Sequence, residues 1–132
     1  MSNCLDNQHK NIKILIIRQE VLLRVCYKIV DSNLKSLGMR PKGRAVPIVQ
    51  YRIGKWTRPL EPISANPDEG GGLWVNPTLS QSKSLAQYLW RRYRRTTRIF
   101  TCHIGRVLCQ PSTYRLKTNK VMLLEEISLR LT

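Results

Sequence analysis

Apolar residues along this chain fall into runs whose spacing changes from one part to the next. Between residues 11 and 37, the polar side chains Lys13, Glu20, Arg24, Lys28, Asp31 and Lys35 recur at steps of seven, four, four, three and four. That spacing keeps them on one face of a helix. Ile14, Leu15, Ile17, Val21, Leu22, Val25, Ile29 and Leu37 cover the remaining faces. Glu20 and Arg24 form an i,i+4 pair, and Gly38 offers a C-terminal stop. The pattern predicts one long helix over residues 11–37. The β-branched run at 12–17 also fits the start of a strand.

Beyond it, Met39-Arg40-Pro41-Lys42-Gly43-Arg44 carries both breaker residues and reads as a basic linker. Residues 46–53 read as a strand, with Pro47 near its start where a missing N–H is tolerated. Gly54-Lys55 turns the chain into Trp56. Residues 58–72 hold three prolines and three glycines and predict a long surface loop. Residues 72–76 form a short strand, and Thr78-Leu79-Ser80-Gln81 matches a capping box, with Thr78 as cap and Gln81 reaching back. The helix it opens runs to about Arg94. Leu85, Ala86, Leu89 and Tyr93 share one face, with Trp90 at its margin, while Arg91, Arg94 and Arg95 project from the other. Residues 97–104 and 107–109 predict a bent strand or a hairpin around Gly105, and 120–131 a terminal strand exposing Glu125 and Glu126.

The expected fold class is therefore α+β: a long N-terminal helix plus a mostly antiparallel sheet of four to five strands carrying a second helix. Residues 1–38 hold the first helix, 39–45 the linker and 46–132 the α+β core.

Composition adds a partner class. With 42% hydrophobic and 23% charged residues the 132-residue chain is globular and of single-domain size. Its formal charge of +15 is far from that of an ordinary domain, and such an excess repels itself unless a polyanion neutralises it. Between Glu69 and Glu125 there is no acidic residue, yet ten Lys or Arg occur there. Five of the ten crowd together: Arg91, Arg92, Arg94, Arg95 and Arg98, around Tyr93. Guanidinium groups bind phosphate through paired hydrogen bonds, and several on one helical face track a backbone. Tyr88 and Trp90 offer a stacking surface beside them. Against this stand core packing for Trp90 and Tyr93, and the stabilisation that cations bring to a helix C-terminus. Arg40, Lys42 and Arg44 form a second basic group, extended by Arg52, Lys55 and Arg58 around Trp56. Arg115, Lys117 and Lys120 form a third.

Other chemistry has less support. Cys4, Cys26, Cys102 and Cys109 contain no C-x-x-C pair. Adjacent strand residues Cys102 and His103 point to opposite faces, which argues against a shared metal ion. No secretory signal is evident, so a reducing, cytoplasmic location without disulfides is expected. Charges at Lys13, Arg18, Glu20, Arg24 and Lys28 exclude a membrane span in the first apolar stretch. A small ribonuclease needs little more than His103, an Arg and either Glu125 or Glu126.

From residue 46 to 129 the order of elements resembles that of ADP-ribosyltransferase-like folds. A strand ends in Tyr51-Arg52; a loop follows; then comes a Gly72-Leu73-Trp74-Val75 strand leading to Thr78 and Ser80, a helix and further strands. The resemblance implies that Arg52 and a Ser/Thr on the next strand hold a nicotinamide cofactor. The Glu-x-Glu or Gln-x-Glu motif of that family has no counterpart, Glu125-Glu126 not being equivalent.

The leading expectation is a non-catalytic protein that binds RNA or single-stranded DNA electrostatically, without cofactor or metal. Arg91, Arg94, Arg95 and Arg98 are expected to hold phosphates, with Arg115 and Lys117 second and Arg40, Lys42 and Arg44 as a basic arm. No helix–turn–helix, zinc finger or RNA-recognition aromatic pattern supports base-specific readout. The alternatives are the transferase-like or ribonuclease enzyme, and a viral or mobile-element protein that binds and inhibits a nucleoprotein complex. In that last case the apolar surface of residues 11–37 would serve as a dimer or partner interface.

Overall fold

The computed structural model of the chain describes residues 13–17, 21–38 and 47–129. Along them run β1 (Lys13–Ile17), β2 (Val21–Asp31), β3 (Trp56–Thr57), β4 (Leu73–Val75), α1 (Leu79–Tyr93), β5 (Thr97–Ile104), β6 (Val107–Ser112), β7 (Arg115–Thr118) and β8 (Val121–Ile127). Five strands form one sheet in the order β1-β2-β5-β8-β3, and three form a second in the order β4-β7-β6. Neighbouring strands are antiparallel throughout.

This corrects the expected fold class. Residues 13–17 and 21–31 are not a long N-terminal helix but a strand pair, with Lys13 opposite Val25 and Ile17 opposite Val21. The physical reason lies in the position of β2. It is hydrogen-bonded to β1 on one side and β5 on the other, and both its faces are covered. Tyr27 and Ile29 pack with Ala86 of α1 and Ile99, while Cys26 and Val30 join Phe100 and Cys102 on the opposite face. A strand buried on both faces loses its apolar–polar alternation and presents the same wide apolar surface as a buried helix. The β-branched residues Val21, Val25, Ile29 and Val30 then favour the extended form.

After β2, the Asp31 carboxylate accepts from the backbone N–H groups of Asn33 at 2.8 Å and Lys35 at 2.9 Å. This closes a turn in which Leu34 takes a left-handed φ of 62°. The expected strand at 46–53 is an extended segment that meets the chain again at a single bridge, Lys35 to Gln50. The linker residues Arg40, Lys42 and Arg44 lie outside the described residues. At Gly105 the chain bends from the first sheet into the second, since β5 pairs with β2 and β8 whereas β6 pairs with β7.

The two sheets enclose the larger core, built from Tyr51, Leu73, Val75, Phe100, Leu116 and Leu123 among others. They touch at one backbone bridge between Tyr27, just past the part of β2 that pairs with β1, and Asn76, with reciprocal hydrogen bonds of 2.8 Å. Cys26, Cys102 and Cys109 are buried thiols. Among the described residues no helix is long and apolar enough to cross a membrane.

Candidate functional site: a basic helix face and a cleft between the sheets

Ser82, Ala86 and Leu89 bury one side of α1. Its other side exposes Lys83, Ser84, Tyr88, Arg91, Arg92 and Tyr93, and the helix contains no acidic residue. Thr78 occupies the N-cap position in extended backbone, but its side chain makes no capping hydrogen bond. The expected reciprocal box is therefore not formed, and Gln81 instead lines a cleft. At the other end Arg94 adopts a left-handed φ of 53°, and the Arg94 N–H donates to the Trp90 carbonyl at 2.9 Å. That terminating turn redirects the arginines that follow.

The five clustered arginines consequently part company. Arg91, Arg92 and Arg94 are exposed, and the Arg94 guanidinium lies 5.3 Å from the centre of the half-buried Trp90 ring. The Arg95 Nη2 donates to the Leu37 carbonyl at 3.1 Å, tying the helix end to the segment after β2. Arg98 grips Glu126 with two hydrogen bonds, Nε to Oε2 at 3.0 Å and Nη2 to Oε1 at 2.7 Å. This contact holds the Glu126 carboxyl below its ordinary range. The aromatic partner of Tyr88 is Tyr93, not Trp90. Their exposed rings meet edge to face at 6.2 Å, and the Arg92 guanidinium sits 5.5 Å from the Tyr93 ring centre. A shallow hollow lined by Ser84, Gln87, Tyr88, Arg91 and Arg92 lies alongside.

Arg115 is placed elsewhere. Its guanidinium stacks 4.1 Å from the Trp74 ring centre at the mouth of a separate cleft. Lys117 is a correction: it is fully buried, and its ammonium donates to the carbonyls of Asn66, Glu69 and Gly70 at 2.9, 3.1 and 3.0 Å. A lysine so engaged staples the loop before β4 and has no reach to a phosphate in solvent. Gly72 is part of the same arrangement, because a Cβ there would collide with the Lys117 stem. Lys120 lies over the Trp56 ring at 4.3 Å, whereas Arg52, Lys55 and Arg58 are exposed.

The residues of the enzyme alternatives do not assemble. His103 faces Val25 and Met122 across its neighbouring strands, its Nε2 is buried without a hydrogen-bond partner, and burial lowers its pKa. Glu126 is committed to Arg98. Arg52 stands exposed outside any strand, Thr78 occupies the N-cap position of α1, and Ser80 lies in its first turn.

The separate cleft, of about 400 Å³, opens between the sheets beside the Tyr27–Asn76 bridge. Lys28, on the inward face of β2, donates its ammonium to the Trp74 carbonyl at 2.6 Å. The same ammonium lies 5.4 Å from the Tyr51 ring centre. Burial lowers its pKa to about 8. Tyr51 is itself buried, its hydroxyl has no hydrogen-bond partner, and burial pushes its pKa up. Asn76 is fixed by accepting from the Ser82 hydroxyl at 2.7 Å and donating to the Tyr114 carbonyl at 3.0 Å. Glu61, Asp68 and Glu69 contribute acidic groups to the lining.

Comparison with protein-family models, with curated proteins and with solved structures finds no match to this chain. The reading of both places accordingly rests on their own chemistry. Sequence patterning missed Lys28 and Tyr51, because a helical assignment set Lys28 on a solvated stripe. Its signal was a lone cation inside the β-branched run at 25–30.

Proposed function

We propose that the protein is a non-catalytic binder of single-stranded nucleic acid, RNA or DNA, and that the exposed side of α1 is its contact surface. One observation carries the reading. A helix without a single acidic residue exposes Lys83, Arg91 and Arg92, with Arg94 at its cap, beside an exposed Tyr88–Tyr93 pair. Guanidinium groups neutralise phosphates, and exposed aromatic faces stack bases without regard to sequence. The net charge of +15 supplies the long-range attraction. Arg95, Arg98 and Lys117, each engaged within the fold, leave the list of phosphate ligands. Arg91 and Arg94, both exposed, stay at its head, and the exposed Arg92 joins them.

The test is binding of a labelled single-stranded RNA and of a DNA duplex across a salt series, with the recovered RNA checked for cleavage. Arg91→Ala, Arg92→Ala and Arg94→Ala combined should weaken binding to all single-stranded sequences. The log–log salt slope should fall by about two units, from about 0.7 per phosphate contact. An unchanged slope removes the helix from the interface. RNA cleavage by the wild type overturns the non-catalytic reading, and absence of binding near physiological salt overturns the whole proposal.

A further inference from the structure

Among the described residues two lysines are buried, and they are treated very differently. The Lys117 ammonium has three proton-bearing positions and three backbone carbonyls to receive them, a complete set. Lys28 has one, the Trp74 carbonyl. Among the described residues no carboxylate pairs with it, and its other neighbours are the face of the Tyr51 ring and the buried Cys102 thiol, whose pKa burial raises. A buried cation normally has a counter-charge or a full set of acceptors, because desolvation is otherwise too costly. Beside it the Tyr51 hydroxyl is also buried and without a partner. Both side chains line the 400 Å³ cleft. Unsatisfied donors therefore converge on one hollow, and what would satisfy them is an anion with several acceptor oxygens.

The surroundings narrow the ligand further. Trp74 links two cations, since its carbonyl receives Lys28 and its ring carries Arg115 at 4.1 Å. Arg115 is exposed and lines the mouth, so a ligand reaching from Lys28 outward passes a second phosphate-binding group. Asp68 and Glu69 are also exposed on the lining. They would repel a second anionic end but accept hydrogen bonds from hydroxyl groups. A volume of about 400 Å³ lies within the range of small-molecule sites. Lys117 and Gly72 hold the loop that bears those acids, so the acidic rim is anchored to the fold.

We infer that the cleft between the two sheets is a binding site for a phosphate-bearing small molecule of nucleotide size, its phosphate held by Lys28 and Arg115 and its hydroxyl-bearing end at the acidic rim. This site is separate from the helix face proposed for nucleic acid: the cleft and the hollow on α1 share no lining residue.

The experiment is calorimetric titration of the full chain with ADP, adenosine and inorganic phosphate. ADP should bind, adenosine should bind at least about tenfold more weakly, and inorganic phosphate should compete with ADP. Loss of one charge-assisted contact corresponds to about ten- to a hundredfold in affinity. Lys28→Met should weaken ADP by at least about tenfold, while the triple α1 variant should retain wild-type ADP affinity and Lys28→Met should retain RNA binding. Arg115→Ala, at an exposed position that leaves folding intact, should weaken ADP several-fold and covers the case of a Lys28 variant that fails to fold. Equal affinity for ADP and adenosine, no binding of ADP or phosphate, or full ADP affinity in both the Lys28 and Arg115 variants would overturn the inference. Loss of ADP binding in the α1 variant alone would transfer the phosphate site to the helix and overturn it as well.

Discussion

Replacing Lys28 by methionine should stabilise the protein near neutral pH, and the gain should shrink as pH rises. Burial lowers the Lys28 pKa from 10.5 to about 8, a gap of about 2.5 units that corresponds to about 3 kcal/mol. At pH 7 the side chain is protonated in both the folded and unfolded chain, so the folded state bears the full penalty. Between pH 8 and 10.5 the unfolded chain retains a proton that the folded chain has released. The unfolded state then binds more protons, and the Lys28 contribution to stability rises with pH. Methionine removes the penalty and occupies a similar volume, but leaves the Trp74 carbonyl without its donor at a cost of about 1–3 kcal/mol. The net gain at pH 7 is about 1 kcal/mol, or about 4 °C in Tm for a domain of this size.

Urea unfolding of wild type and Lys28→Met at pH 7 and pH 9 separates this effect from other titrations. Tyr51 and Cys102 both have pKa values raised by burial, so alkaline pH favours their unfolded forms and opposes Lys28. Both keep raised pKa values in either variant, because losing the Lys28 charge that pulls the Cys102 thiol down only raises it further, and Arg115, Glu61, Asp68 and Glu69 around the cleft are present in both. The stability difference between the variants should fall by about 1 kcal/mol from pH 7 to pH 9. A difference that stays constant would show that Lys28 is not desolvated, and the case for an anion beside it would go with it.

Two further substitutions probe the frame around the cleft and the arginine cluster. Lys117→Met strips three carbonyls of their donor and should cost about 3 kcal/mol. Amide exchange should accelerate at residues 66–72, and exchange unchanged there would show that the loop holds without the lysine. A double-mutant cycle on Arg98 and Glu126, both partly exposed, should give a coupling under about 1 kcal/mol despite the bidentate geometry. Because Glu126 has a lowered pKa, that coupling is present above the ordinary carboxylate range and lost as pH falls through the folded value. A coupling that persists in strong acid would refute the ion-pair assignment.

Local features with distinctive residues were legible before the structure, and features set by tertiary placement were not. The helix opening after Thr78 has a dense apolar face and no breaker, and it forms at Leu79–Tyr93. β8 falls within the expected terminal strand. The N-terminal region failed because periodicity cannot distinguish a strand covered on both faces from a buried helix. Lys28 then took its place in an apparent polar stripe when its true neighbours are Phe100 on the adjacent strand and Tyr51 across the core. The arginine block is divided by the fold. One left-handed residue, Arg94, turns the chain so that Arg95 leaves the helix face for the Leu37 carbonyl, and nothing in a run of arginines signals such a turn.

The structure also changes what the net charge means. Lys117, Arg95 and Arg98 are engaged within the fold by carbonyls or a carboxylate, so these cations serve structural contacts while their charge still counts in the +15. The remainder is distributed unequally. Arg91, Arg92 and Arg94 stand exposed at one helix end beside a shallow, open hollow, where a flexible polyanion can settle without entering the protein. Lys28 and Arg115 face a hollow instead, one buried and one at the mouth, where a long strand would have to bend sharply to bring a phosphate to the inner cation. Exposed and enclosed cations thus select ligands of different shape. Salt should weaken both, but binding at the cleft, with fewer phosphates neutralised and an inner contact shielded from solvent, should show the shallower salt slope.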